Sequence, residues 1–330
     1  MCTALALKSI QNENFFGRTM DFTYDIDPSF YVIPKGYSWQ NIYSKEWYVN
    51  DYSFIGIGQE SEGILGFFDG VNECGFAAAA LYFAGYANYN PPLEDGIKKP
   101  IPSLDFLHYL LGHCSCLEDL KNLLKDKYII GIPDPITKIA APLHWFVTDQ
   151  SGKCLVIEQT GKGLEIIDNP IGVLANSPDF NWHITNLRNY MEISDKQKNE
   201  VFWGNMKLTP FGQAGGTTLL PGGYSSPERF VRTSFLKTHS LLANNRAEAI
   251  VTCFQLLGNV TIPKGVVLSD KESYDYTKYT AFINTNTCEY YFNTYKNSQI
   301  TTVSLEKNLR NTKSPIHIGR IIRPILFESF

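Results

Sequence analysis

Apolar residues in the first third of the chain recur mostly at every second position, the spacing of half-buried strands. Residues 3–10 alternate around Leu5 and Leu7, Gln11-Asn12-Glu13 offers a turn, and a second apolar run covers 15–22. Further strands are predicted at 31–33, 54–57 and 75–83. The last contains four consecutive alanines, compatible with helix or strand; its β-rich flanks favour a strand of small residues under tight packing. The period then lengthens. Residues 104–111 and 117–124 carry helical spacing, with Ser115 as a cap between them. Short strands return at 143–148, 154–158, 164–167 and 172–174, joined by Asp, Gly and Asn turns. Ser177-Pro178 opens a helix through Tyr190, with Ser as N-cap and Pro in the first turn. Ser226-Pro227 does the same for 228–242. A helix at 246–257 and strands at 279–284, 289–295 and 300–305 complete the pattern.

The order is strands, two helices, strands, helices, strands, which is not the βαβ alternation of a doubly wound fold. It predicts an α+β fold of stacked, largely antiparallel sheets covered by helices. No linker, repeat or low-complexity stretch divides the 330 residues, so one domain over residues 1–330 is expected. The Gly- and Pro-rich stretch 202–224 reads as an ordered loop.

Charged residues are 19% of the chain and the net charge is −4, which argues against disorder and against a nucleic-acid partner. No run approaches the roughly 18 apolar residues of a membrane span. The N-terminus has no basic lead-in and no long apolar core, so it is a poor signal peptide. Seven cysteines, an odd count, point to reduced thiols and a cytoplasmic setting. Neither Cys114 and Cys116 nor the six histidines have metal-ligand spacing, so no metal or cofactor is expected. Aromatic residues at 14% suit a roomy apolar pocket.

Position 2 carries the sharpest chemical signal. A small residue after Met1 permits removal of that Met, leaving Cys2 with a free α-amine. Nucleophile and base then share one residue, since the α-amine titrates at about 7.7–8.0 and a thiol at about 8.5. No histidine is required. If the hairpin turn centres on Gln11-Asn12, residue numbers of paired positions sum to about 23. Cys2 then faces Asp21, with Cβ atoms roughly 5 Å apart. Arg18 would favour a thiolate by charge. Strict alternation nevertheless sends Arg18 and Asp21 to opposite faces, so both serve Cys2 only through a bulge or a curled arginine.

Met1-Cys2-Thr3 and Gly17-Arg18-Thr19-Met20-Asp21-Phe22 resemble the start of the choloylglycine hydrolase family of bile salt hydrolases and penicillin V acylases. The resemblance continues through Asp69-Gly70-Val71-Asn72-Glu73-Cys74-Gly75, Ala80-Leu81-Tyr82-Phe83, Pro142-Leu143-His144-Trp145 and Asn176-Ser177-Pro178-Asp179-Phe180. It runs on through Thr209-Pro210-Phe211-Gly212-Gln213, Pro227-Glu228-Arg229-Phe230-Val231-Arg232 and Ile262-Pro263-Lys264-Gly265, in order over residues 2–305. The resemblance implies an N-terminal-nucleophile αββα sandwich, a homo-oligomer of tetramer type and a small-molecule amide substrate. It implies Cys2 as nucleophile with Arg18 and Asp21 beside it, Asn176 and the Tyr82 N–H as oxyanion donors, and Arg229 as a second site arginine. Tyr82 stands where bile salt hydrolases usually carry Asn and penicillin V acylases Tyr. With Phe67-Phe68, Phe83 and Tyr86 it suggests an aromatic pocket wall and a penicillin V-type substrate. Conjugated bile salts and acyl-homoserine lactones are the alternatives.

Two departures stand out. The chain reads Leu220-Pro221-Gly222-Gly223 where relatives often end in Asp, which implies a missing pocket-side or loop-capping carboxylate. Residues 316–330 are also more apolar than the family pattern. Two other functions compete: a hydrolase pairing Cys74 with His144 or His183, which no local motif supports, and a non-catalytic binding protein if Met1 is retained.

Overall fold

The computed structural model describes residues 1–89, 99–269, 272–325 and 327. The alternating runs assemble into two antiparallel sheets stacked face to face. In the first, the strands Val173–Leu174, Cys2–Lys8, Asn14–Phe22, Tyr274–Asn284, Glu289–Thr294 and Asn297–Ser304 lie side by side in that order. In the second the order is Gly163–Asp168, Cys154–Thr160, Leu143–Thr148, Ala77–Tyr82, Ile64–Asn72, Phe54–Ser61, Ser29–Ile33 and Ile316–Arg320. Helices Ser226–His239 and Arg246–Gly258 cover the first sheet, and Phe106–His113 covers the second. The layers therefore run helix, sheet, sheet, helix, as expected.

Strand alternation sets what lies between the sheets. From the strand Asn14–Phe22, Phe16 points inward and meets Phe146 of the opposite sheet edge-on at 5.2 Å. Phe30 likewise meets Tyr290 at 5.0 Å. Outside the second sheet, Phe106 packs on Trp145 at 4.5 Å.

Several elements differ from the sequence expectation. The alanine run is indeed a strand, Ala77–Tyr82. Its partner Ile64–Asn72 was not foreseen, because two glycines and an aspartate break its apolar pattern. Gly70 lets the covering helix approach closely: a β carbon at this position would press on the end of the Leu111 side chain, which would have to move. Ser115 caps no helix. Cys116 holds the N-cap position, while the Ser115 backbone N–H and hydroxyl donate to Asp119. The helix expected from Ser177 begins at Phe180, because Asp179 accepts the Trp182 N–H as its cap. It ends as a 3₁₀ turn, Leu187–Tyr190. The stretch 202–224 holds most of a small hairpin, Val201–Trp203 with Met206–Leu208. The apolar C-terminus has a packing role, since Ile316–Arg320 closes the sheet edge beside Ser29–Ile33 and Ile321 is buried.

Candidate active site

The first hairpin positions the site, and its register is one residue away from the expected pairing. Cys2 lies opposite Met20, not Asp21, and the ladder continues so that Met1 and Asp21 exchange backbone hydrogen bonds at 2.7 and 3.0 Å. The turn is the cause. Ser9 pairs with Glu13 around a three-residue loop centred on Gln11, and Asn12 takes the left-handed conformation at φ 62°. An odd loop moves every pairing by one and so exchanges faces. Arg18, Met20 and Cys2 share the inner face. Asp21, Thr19 and Thr3 share the other, under the helices.

Arg18 is 1% exposed, and all five of its N–H donors are engaged. Nε donates to the Thr19 carbonyl at 3.2 Å. Nη1 donates to the carbonyls of Phe68 at 3.0 Å and Ala80 at 2.6 Å. Nη2 meets the Cys2 sulfur at 2.6 Å and the Met20 sulfur at 3.1 Å. Phe68 is the bulged residue between the pairs Ile57↔Asp69 and Gly58↔Phe67, and the ladder to Ala77–Tyr82 ends at Asp69↔Ala79. Arg18 thus bridges the two carbonyls that the next rung would have presented, a bulge beside a functional site. Burial works against the charge of Arg18. Cys2, Tyr279, Asp69 and Asp21 more than offset it, so the guanidinium is held above its usual range.

Asn176 sits across from this group. Its Oδ1 accepts from the Cys2 backbone N–H at 2.7 Å and from Arg229 Nη2 at 2.7 Å. Two donors on one atom fix the amide orientation, so Nδ2 faces the Tyr82 carbonyl at 2.7 Å. That bond uses one of the two Nδ2 hydrogens. Tyr82 pairs with Leu143, and Phe83 donates to the Pro142 carbonyl. By strand alternation the Tyr82 N–H therefore points off the other edge, the same side as its own carbonyl and that of Ala80. Arg229 is fully buried in its helix and binds the Tyr224 and Cys2 carbonyls and the Thr3 hydroxyl. Burial lowers its basicity, while Asp21 and Cys2 oppose that.

Asp21 does not present its carboxylate to the Cys2 sulfur. The carboxylate accepts from the hydroxyls of Thr277 at 2.5 Å and Thr19 at 3.1 Å. Only the Asp21 backbone carbonyl approaches the sulfur, at 4.0 Å. Burial pushes the carboxyl above its ordinary range, against the pull of Arg229 and the N-terminal ammonium.

The sulfur opens onto an apolar cleft of about 120 Å³, lined by Met20, Phe22, Phe67, Phe68, Leu107, Leu143 and Tyr82. Phe67, Phe68 and Tyr82 fulfil the expected aromatic wall. Phe83 and Tyr86 do not line it, because Phe83 is buried flat against His144 at 4.3 Å, with Tyr86 tilted against it at 5.6 Å.

Sequence reasoning passed over the groups that hold these residues in place. His144 Nε2 meets the Ala175 carbonyl at 3.0 Å while its Nδ1 meets Glu158 at 3.1 Å. His183 Nε2 meets the Asn176 carbonyl at 2.8 Å, and burial pushes its basicity down to about 4, so it donates as a neutral ring. Both histidines thus brace the Asn176 segment, and neither is bonded to Cys74, which removes the Cys–His dyad. Asp69, 1% exposed, accepts from Tyr279 at 2.6 Å and Tyr290 at 2.8 Å, across the gap between the sheets. The missing Asp at position 223 opens no gap. Glu228 fills that space, accepting from the Gly223 N–H at 3.2 Å and the Ser225 hydroxyl at 2.6 Å. Among the described residues, no cluster of three or more His, Cys, Asp or Glu could hold a metal. None of their helices is long and apolar enough to cross a membrane.

Residues 2–318 match the sequence pattern of the linear amide C–N hydrolases of the choloylglycine hydrolase family. The chain belongs to that family. It is 35% identical over 307 residues to the bile salt hydrolase/transferase of Clostridium perfringens, covering 93% of each chain. It is 25% identical to the penicillin V acylase of Pectobacterium atrosepticum, covering 93% of this chain and 81% of that one. A crystal structure of a mutant conjugated bile acid hydrolase from Clostridium perfringens superposes with a TM-score of 0.91 at 32% identity, covering 100% of this chain and 99% of the other. This choloylglycine hydrolase family member accordingly has the N-terminal-nucleophile fold and is an enzyme acting on linear amide C–N bonds.

Proposed function

We propose that, once Met1 is removed, Cys2 serves as both nucleophile and base in hydrolysing amides that join an apolar acyl group to a polar amine. The observation that carries this reading is the Arg18 guanidinium at 2.6 Å from the Cys2 sulfur, at the mouth of the apolar cleft. The thiol proton passes to the α-amine and the sulfur attacks the amide carbon. Asn176 Nδ2 and the Tyr82 N–H take up the charge on the carbonyl oxygen. The tetrahedral species collapses as the C–N bond breaks, and the α-ammonium gives its proton to the leaving amine. Water, deprotonated by the α-amine, then cleaves the thioester and restores the thiol. Arg229 and Asp21 act from the helix side. Arg229 holds the Cys2 carbonyl and Asn176 in place, and the Asp21 carboxylate ties the end of the hairpin to the neighbouring strand through the Thr277 hydroxyl.

The wall of Phe67, Phe68 and Tyr82 favours a flat aryl acyl group, as in penicillin V. A second reading, conjugated bile salts, is favoured by the 35% identity to the Clostridium enzyme. The test is kcat/KM for penicillin V and glycocholate on one preparation of processed enzyme. Penicillin V is expected to lead by about tenfold, within the range one pocket side chain commands. A clear lead for glycocholate would reverse the preference and leave the Cys2 chemistry standing.

Two wider expectations belong to the same reading. Exposed Phe202, Trp203, Met206 and Phe211 around the hairpin support a homo-oligomer, of tetramer type by family resemblance, which sedimentation measures. Seven unpaired cysteines support a reducing, cytoplasmic setting.

A further inference from the structure

His144 lies in the strand Leu143–Thr148 and Glu158 in its neighbour Cys154–Thr160, and both side chains are buried. Nδ1 of the ring meets Glu158 Oε1 at 3.1 Å, and Nε2 meets the Ala175 carbonyl at 3.0 Å. A carbonyl only accepts, so Nε2 carries a hydrogen. Nδ1 and a carboxyl oxygen then bond only with a second proton between them. The pair is an imidazolium against a carboxylate, or an imidazole against a carboxylic acid. It is neutral overall in both forms, as burial favours, and Nε2 keeps its hydrogen in both.

The ring stands between the two groups assigned to the oxyanion. On one side, His144 follows Leu143, which pairs with Tyr82, and its face lies flat on Phe83, the residue after Tyr82, at 4.3 Å and 8°. On the other, it holds the carbonyl of Ala175, the residue before Asn176. His183 holds the Asn176 carbonyl at 2.8 Å from the helix Phe180–Asn186, and Glu158 accepts the first N–H of that helix, from Phe180, at 3.1 Å. Both backbone bonds to the Asn176 segment thus trace back to one buried carboxyl. The side-chain bonds of Asn176 orient its amide; these backbone bonds decide where the amide stands. Neither His144 nor Glu158 borders the cleft at Cys2.

We infer that His144 and Glu158 are a positioning pair, which shares one proton and fixes the separation between Asn176 Nδ2 and the Tyr82 N–H. The inference rests on the amidase reading above and adds to it what sets the spacing of the oxyanion donors.

The first test is NMR of the ring nitrogens in processed enzyme made with isotope-labelled histidine, with the His144 signals identified by their loss in H144F. Nε2 should carry a hydrogen; a ring protonated on Nδ1 alone overturns the pair. The second is kinetic. H144F keeps a flat ring against Phe83 and removes both N–H groups. Its kcat should fall by roughly ten- to hundredfold, the cost of a donor displaced by about 1 Å. KM should change little, because the oxyanion exists only at the transition state. H144F also strands a buried carboxyl and so loses stability. In H144F/E158Q the charge is gone, so the urea midpoint should recover while kcat stays low. That double variant carries the kinetic comparison should H144F fail to fold. E158Q alone should keep more turnover than E158L, since its amide still donates to Nδ1 and its oxygen still accepts the Phe180 N–H. An active wild type with unchanged kcat in H144F, a kcat that recovers with the midpoint, or equal losses in E158Q and E158L would each overturn this inference alone. If wild type turns over neither penicillin V nor glycocholate, the amidase reading falls and this inference falls with it.

Discussion

Replacing Asp69 tests whether the buried charge of Arg18 needs a buried counter-charge. Both residues are 1% exposed, and Asp69 is also the acceptor for the Tyr279 and Tyr290 hydroxyls. Burial drives the Asp69 carboxyl above its usual range, against the pull of Arg18 and the two phenols. Two O–H groups donating to its two oxygens suit the ionised form, and an arginine stays charged throughout. Asp69→Leu would take from the buried guanidinium one of its counter-charges, at a cost of up to about 3–5 kcal/mol, and orphan two hydroxyls at about 1–3 kcal/mol each. That approaches the whole stability of a typical domain. Asp69→Asn is the usable change. Its carbonyl oxygen still accepts from one phenol, while the charge is gone and the NH₂ faces the other. A loss of about 3 kcal/mol is expected, read as a lower urea midpoint at unchanged slope. Adding Tyr290→Phe to that background should cost less than it does in the wild type, because the hydroxyl it removes already lacks its partner. Turnover should fall more than substrate affinity, since Arg18 is loosened from the sulfur. A cost below about 1 kcal/mol with normal turnover would refute the reasoning and show that the backbone carbonyls alone hold Arg18.

Intact mass should place the mature chain one Met below its translation. Cys2→Ala should abolish turnover while leaving the fold intact, with Cys2→Ser also far below wild type; an alanine variant retaining a tenth of the rate would mean another nucleophile. Asn176→Ala should lower kcat by roughly 10²-fold with little change in KM; a loss lying wholly in KM would make Asn176 a substrate-binding group. The last concerns pH and Asp105, which accepts the Ile42 N–H at 2.8 Å and which burial pushes up to about 7 against that bond and Lys45. The unfolded carboxyl, near 3.8, loses its proton first. The native state thus binds the extra proton between about pH 4 and 7, so this group makes stability fall as pH rises through that window, by up to ~4 kcal/mol, and level off above it. Urea midpoints of Asp105→Asn across that range should lack this component; an unchanged slope would assign it elsewhere.

The hairpin shows what was legible and what was not. Two apolar runs around a polar turn were enough to announce it, and the motifs located Cys2, Arg18 and Asn176. Register depended on whether the loop held two or three residues, a difference made by one left-handed residue, Asn12. A shift of one moved the Asp21 carboxylate to the far face and brought Arg18 onto the sulfur without a curled side chain. The bracing groups left no comparable local signal. Asp69 meets partners 210 and 221 residues away, and Asp275 meets Met1 across 274. Such pairs arise from sheet order, which periodicity does not encode. Asp69 was doubly hidden, because the glycine that lets the covering helix approach also disguised its strand.

Arg18 explains why fold and site cannot be separated in this chain. The ladder between Ile64–Asn72 and Ala77–Tyr82 ends at Asp69↔Ala79, next to the residue that bulges against Phe54–Ser61, and the carbonyls of Phe68 and Ala80 just beyond it have no N–H of the partner strand paired to them. Buried carbonyls require donors. A residue from the first sheet supplies them, and only a planar fork can serve both carbonyls from one nitrogen while offering a second nitrogen to the Cys2 sulfur. A lysine ammonium has three donors at a single point and could not span that set. The apolar cleft is lined by Phe68, Ala80 and Tyr82 where this ladder has ended, and the guanidinium that satisfies the two carbonyls places its charge on the nucleophile.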